Sequence, residues 1–350
     1  MPGTCPNVHG APARNESIAD FSISRRRAAA TALAAAALPL APGRTCAQTE
    51  RAPGERAPGG GPARKTLLGV YVAHDLLALR EFEGIIGRRV DGVLEYTHSR
   101  EWSDMGPSRH LSNVLGQSGR GIFWSMPHYA AWESRDNGLA DMRAVAAGAR
   151  DADFVRWGRE LLARGKPAAD GNFYLRVAWE MPGEWFPWSL SAKQDPAAFR
   201  ASVCRYARAL RSVSNKFKIV WDFNSDRGPV EQYYPGDDCV DVISQDIYWT
   251  LDLQGKEPRA AFNRHVSGYS RGLAWMAEFA AAHGKPMAIS EFGVDASARG
   301  AEIWLELFAD WVRSHNVVYI VYWYSNDAFP GIFGRNARVS NAFKRLFGGQ

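Results

Sequence analysis

The chain has 350 residues and a formal net charge of +5, of which residues 1–47 contribute +3. What remains is close to neutral, so the chain carries no electrostatic footprint for nucleic acid. Thirteen Trp and twelve Tyr are more than a core of this size requires, and they favour a cleft lined with aromatic rings.

Residues 1–47 read as an export signal of twin-arginine type: Ser24-Arg25-Arg26-Arg27, an Ala- and Leu-rich run to Leu40, then Thr45-Cys46-Ala47 before a cleavage point. The apolar run is too short and too rich in Ala for a retained span, so no stable membrane anchor is expected, and the mature chain is placed in the periplasm or the medium. Residues 48–65, rich in Ala, Pro, Gly and Arg, have the composition of a disordered linker.

From residue 66 the pattern alternates between short apolar runs and longer stretches of helical period. Strands are predicted at Leu67 to Val72, Gly92 to Tyr96, Gly121 to Met126, Phe173 to Trp179, Lys218 to Phe223, Val240 to Tyr248, Met287 to Ser290 and Val317 to Tyr324. Between them lie amphipathic segments such as Ala197 to Val213, where Phe199, Val203, Tyr206 and Leu210 recur every three or four residues. Eight such units over 66–350 predict an α/β fold, a single (β/α)8 TIM barrel. An open doubly wound sheet is the alternative, and no Gly-rich phosphate loop follows the first run to support it.

In a barrel of this kind the carboxyl ends of the strands converge on one face. Those ends supply Glu180, Asn224, Asp246 with Tyr248, Glu291 and Trp323. Glu180 precedes a Pro-Gly break and an aromatic loop with Trp185, Phe186 and Trp188, flat surfaces that suit the C–H faces of sugar rings. Two carboxyl groups about 5 to 5.5 Å apart can cleave a glycosidic bond with retention, one as acid, the other as nucleophile. Glu180, beside Trp179 and Met181, is assigned the acid/base role, and Glu291, oriented by Tyr248, the nucleophile's. Trp124 and His128 are placed near the cleft rim, with a solvent-exposed loop position as the alternative for His128, and His74 after the first run carries the same two readings. Cys204 and Cys239 are the two cysteines of the globular part, either a disulfide or two separate buried thiols. No His/Asp cluster of metal-ligand spacing stands out, so neither metal nor cofactor is expected.

Three ordered motifs resemble glycoside hydrolase family 26: Trp-Glu-Met-Pro-Gly-Glu-Trp-Phe-Pro-Trp at 179–188, the segment 233–249 from Tyr-Tyr-Pro-Gly-Asp to Asp-Ile-Tyr-Trp, and Ile-Ser-Glu-Phe-Gly at 289–293. The resemblance implies a retaining (β/α)8 hydrolase of β-linked polysaccharide, such as mannan, β-glucan or xylan, with an exopolysaccharide also among the expected substrates. It makes Glu180 the acid/base and Glu291 the nucleophile, with Trp185 and Trp323 stacking on sugar and Asp246 and Tyr248 as polar contacts. The chain departs from the family at Trp179, where a His is usual, and at Pro182, where an Asn is usual. Trp179 at the sugar site offers one N–H donor and no acceptor. The expected protein is a monomer acting on polysaccharide or oligosaccharide. A binding barrel without catalysis is the competing reading, and retention of both glutamates argues against it.

Overall fold

The structure is a computed structural model that describes residues 65–97, 101–103, 105–107, 109–130, 135–181, 186, 188, 195–225, 228–249, 255–325 and 336–349. The signal expected over 1–47 and nearly all of the linker over 48–65 lie outside the described residues, as does Trp185.

Eight strands form a closed barrel in chain order: β1 (Leu67–Tyr71), β2 (Gly92–Tyr96), β3 (Gly121–Ser125), β4 (Phe173–Val177), β5 (Phe217–Phe223), β6 (Val242–Trp249), β7 (Met287–Val294) and β8 (Val317–Trp323). Every neighbouring pair is parallel, and β8 closes onto β1 with Leu67 opposite Tyr319. This is the (β/α)8 barrel expected from the eight runs. Its strands are apolar at nearly every position because they are covered on both faces.

The helices on the outside are α1 (Leu76–Ile86), α2 (Arg109–Gly116), α3 (Arg135–Ala146), α4 (Asp151–Arg164), α5 (Pro196–Val213), α6 (Pro258–Asn263), α7 (Leu273–Ala282), α8 (Ala301–Ser314) and α9 (Ala337–Phe347). Their starts are written locally. Asp75 caps α1 by accepting the amides of Leu77 and Ala78, and Asp195 caps α5 ahead of a Pro at the first helical position. Phe199, Val203, Tyr206 and Leu210, the stripe read from the sequence, are the buried face of α5.

The lower half of the barrel is filled by aromatic rings. Phe123 stacks on Tyr319 at 4.6 Å and lies 5.8 Å from Tyr174. Gly92 makes room for it, since a Cβ there would lie 2.5 Å from the Phe123 ring. With these rings packed in the interior below, the upper end, at the carboxyl ends of the strands, is where this architecture places a ligand site.

Two departures from the expected strands shape that end. β4 stops at Val177, because Ala178 and Glu180 adopt positive φ values of 41° and 51°. Glu180 therefore sits on a strained turn beyond the strand rather than at its tip, a conformation that costs side-chain-bearing residues on the order of 1–3 kcal/mol. β7 instead continues to Val294 and carries an extra residue against both neighbours. Ser244 pairs with Ala288 and Asp246 with Glu291; on the other side Ile289 pairs with Ile320 and Phe292 with Tyr322. That bulge lets two successive residues face the interior. Ser290 meets Ser244 Oγ at 2.6 Å and the Tyr319 hydroxyl at 2.8 Å, and Glu291 follows immediately.

Cys204 on α5 and Cys239 ahead of β6 form a disulfide with Cα atoms 5.0 Å apart. Among the described residues, no helix is long and apolar enough to cross a membrane.

Candidate active site

The bulge in β7 aims Glu291 into the upper barrel, where it is fully buried. Arg176 of β4 donates from Nη1 to Glu291 Oε1 at 2.6 Å, the Tyr96 hydroxyl of β2 donates to the same oxygen, and the Tyr248 hydroxyl of β6 donates to Oε2 at 2.6 Å. Three donors, one of them cationic, suit a carboxylate anion with little freedom to move.

Glu180 approaches from its turn and is 3 % exposed. Its backbone N–H donates to Asp222 Oδ1 of β5 at 3.0 Å. Glu180, Asp246 and Glu291 each bring a carboxylate oxygen within 4.8 Å of the others. Glutamates 111 positions apart in the chain thus share one small volume. Three clustered carboxylates are also a donor set for a cation, but the Arg176 guanidinium already bonds to Asp246 and Glu291 and supplies positive charge there.

Arg176 is 2 % exposed and also reaches Asp222 from Nη2 at 3.2 Å. Burial alone would lower its pKa, yet Asp222, Asp246 and Glu291 together hold it well above the ordinary arginine value. One guanidinium cannot neutralise every carboxylate around it. Burial pushes Asp246 well above the usual carboxylate range; Arg176 opposes this, and the neighbouring Asp222, Glu291 and Glu180 add to it. Burial likewise raises Asp222. For the Tyr96 phenol, burial and then the Glu291 charge raise the pKa well above its ordinary value, so it stays protonated and donates.

Aromatic rings stand beside this polar group at the carboxyl ends of the strands. Trp323, at the end of β8, lies 4.0 Å from the Tyr71 ring and 6.4 Å from that of Tyr248. Trp179 is fully enclosed: its indole packs edge-on against Tyr96 at 5.3 Å, Trp188 at 4.5 Å and Phe186 at 5.3 Å, and its carbonyl accepts from Trp188 Nε1 at 2.7 Å. It backs the site as a wall. Asp246 and Tyr248 stand beside Glu291, the former on Arg176 and the latter as a donor.

Trp124 and His128 do not join this group, contrary to their expected place at the rim. Trp124 is fully buried and pairs with Glu95 and Leu175, one position out of phase with the inward Tyr96 and Arg176, so it faces the helices. His128 is packed against α5, with Nε2 2.9 Å from Ser202 Oγ and its ring among Tyr129, Phe199 and Tyr206. Ser202 donates its own proton to the Phe199 carbonyl at 2.8 Å, so it accepts from His128 Nε2–H and leaves Nδ1 bare. Burial lowers the His128 pKa to about 3. His74 pairs at 2.7 Å with Glu95, which shares the outward phase of Trp124, and the same Glu95 oxygen accepts the Tyr96 amide.

Sequence reasoning missed Tyr96, Arg176 and Asp222. For two of them the signal was present: a lone Arg in Phe-Tyr-Leu-Arg-Val and a lone Asp in Val-Trp-Asp-Phe are charges inside runs that read as buried strands, and buried charges need partners.

Residues 172–329 match the family model described as Glycosyl hydrolase family 26. Endoglucanase H of Acetivibrio thermocellus is 23% identical over 261 residues, covering 71% of this chain and 26% of that protein, so the chain spans about a quarter of that relative's length. Among solved structures, a GH26 β-mannanase from Bacteroides ovatus superposes with a TM-score of 0.54 at 17% identity, over 80% of this chain and 88% of that one. The catalytic domain of a GH26 endo-β-1,4-mannanase from Bacillus sp. JAMB-750 gives 0.58 at 15% identity, over 82% and 87%. At such identities the structural likeness speaks for the fold. The sequence match spans both Glu180 and Glu291 and bears out the resemblance read from the motifs: the chain is a barrel relative of glycosyl hydrolase family 26.

Proposed function

We propose that this chain hydrolyses a β-linked polysaccharide by double displacement, cutting within the polymer. The observation that carries the reading is the approach of Glu180 and Glu291 oxygens to within 4.8 Å, on the scale of retaining rather than inverting pairs. Glu291, held by Arg176, Tyr96 and Tyr248, attacks the anomeric carbon. The glycosidic C–O bond breaks, and the leaving oxygen takes the proton of Glu180. In the second step Glu180 accepts a proton from water, the water oxygen bonds to the anomeric carbon, and the bond to Glu291 breaks with retained configuration.

Trp323 and Trp185 stack on sugar in this reading, with Asp246 and Tyr248 as polar partners. The names of the relatives point to β-glucan and β-mannan as the first substrates to try. The chain acts as a monomer and is exported through its amino-terminal signal, and the Cys204–Cys239 disulfide accords with an oxidising compartment.

Mannans, mixed-linkage glucans, xylans and bacterial exopolysaccharides, each incubated with wild type and with Glu291→Ala, test this. Oligosaccharide release by wild type alone is expected. Equal release from both, or none from either, would contradict it.

A further inference from the structure

We infer that Asp222 is a positioning residue that sets the gap between the two glutamates. The inference rests on the hydrolase reading above and deepens it. Asp222 lies on β5, fully buried, and carries no part of the proposed chemistry itself. Its Oδ1 accepts both the backbone amide of Glu180 at 3.0 Å and Arg176 Nη2 at 3.2 Å, while Arg176 Nη1 holds Glu291 at 2.6 Å. A continuous path therefore runs from the backbone of the acid, through one carboxylate oxygen and one guanidinium, to the nucleophile.

The two ends of that path are built differently. Glu291 stands on a strand paired on both sides, with three hydrogen-bond donors of its own. Glu180 stands beyond the end of β4, on a turn where Ala178 and Glu180 both take left-handed backbone conformations that residues with side chains avoid. A backbone in that region is held by its surroundings rather than by its own preference, and Asp222 is a charged acceptor aimed at its amide. General acid catalysis requires the carboxyl to lie within hydrogen-bond reach of the leaving oxygen, and a displacement of about 1 Å costs roughly 100-fold. Asp222 thus acts on Glu180 through the main chain.

A defect in placing the acid differs from a merely weakened fold in its dependence on the leaving group. Cleavage of glucomannan needs protonation of a poor leaving group. Release of dinitrophenolate from 2,4-dinitrophenyl β-cellobioside or β-mannobioside does not, and kcat/KM for those substrates reports attack by Glu291. Asp222→Ala is expected to lower kcat/KM on glucomannan relative to that on the dinitrophenyl glycosides by about 10- to 100-fold. Asp222→Asn, which keeps an oxygen at Oδ1, should hold the ratio within roughly threefold of wild type.

If the alanine variant does not fold, Asp222→Ser, whose hydroxyl stops short of both donors, should lower the same ratio. An unchanged ratio in the alanine or serine variant overturns the inference, and so does an equal fall in the asparagine variant. Should wild type cleave neither class of substrate, the hydrolase reading fails separately. The crystallographic distance between Glu180 and Glu291 oxygens in the alanine or serine variant then decides the positioning role: widening by about 1 Å supports it, and an unaltered distance refutes it.

Discussion

Arg176 Nη1 lies 2.6 Å from Glu291 Oε1, joining strands β4 and β7 across the barrel, and its other terminal nitrogen binds Asp222 and Asp246. One buried cation therefore organises the carboxylates of the site. Replacing it with Met leaves Asp222, Asp246 and Glu291 without their shared partner, and removing one side of a buried ion pair costs about 3–5 kcal/mol. Arg176→Met should unfold at a markedly lower urea concentration. Arg176→Lys keeps the charge but cannot fork, so its kcat should fall about 10- to 100-fold with a smaller loss of stability. Equal stability of the Met variant and wild type would contradict this account of the network.

The hydroxyl of Tyr248 can be removed with less damage to the fold, because the residue is partly exposed at the barrel mouth. A hydrogen bond to a charged group contributes about 1.5–3 kcal/mol, so Tyr248→Phe should reduce kcat by about 10- to 100-fold. Thermal unfolding should shift by only a few degrees. An unchanged kcat would show that Glu291 does not depend on this donor.

How much of this was legible beforehand differs by residue. The barrel was readable because parallel strands covered on both faces write themselves as apolar runs. Both glutamates were visible because a carboxylate at the edge of such a run is conspicuous. The bulge at 289–291 was not visible, since an extra residue in a strand leaves no mark in composition, yet it lets Ser290 and Glu291 share the interior face. Tyr96 was read as one more apolar strand residue; its role depends on a hydroxyl meeting a residue 195 positions away. Trp124 and His128 were misplaced because an aromatic or a His near a strand end looks the same whether it faces the mouth or the helices. The pleat decides, and it points Trp124 outward.

His128 makes acid stability a sharp test of the packing beside α5. Its folded pKa of about 3 lies below the roughly 6.5 of an exposed imidazole, so the unfolded chain binds the proton more readily between those values. Its contribution to stability is fully present above about pH 6.5 and is lost progressively as pH falls toward 3, by about 3 kcal/mol at pH 4. Burial of His265, whose pKa falls to about 4, acts in the same direction. Urea midpoints at pH 7 and pH 4 should therefore move further apart in wild type than in His128→Gln. The same separation in both would show that the imidazole is not buried neutral.

The Cys204–Cys239 bridge closes a separation of 35 residues, for which loop entropy gives about 4 kcal/mol. It fastens α5 to the segment entering β6, the end of the barrel away from Glu291. Replacing both cysteines with Ala should lower the melting temperature by on the order of 10 °C while leaving kcat at 25 °C within about twofold. A loss of activity without a loss of stability would contradict that placement.

The central claim is that Glu291 bonds covalently to the sugar while Glu180 moves the proton. A 2-deoxy-2-fluoro glycoside with a dinitrophenolate leaving group slows breakdown of that bond, and peptide mass spectrometry then locates it. The account predicts a single added sugar on the peptide containing residues 287–294, carried by Glu291. An adduct on another carboxylate, or turnover that releases product of inverted anomeric configuration with no adduct, would contradict it.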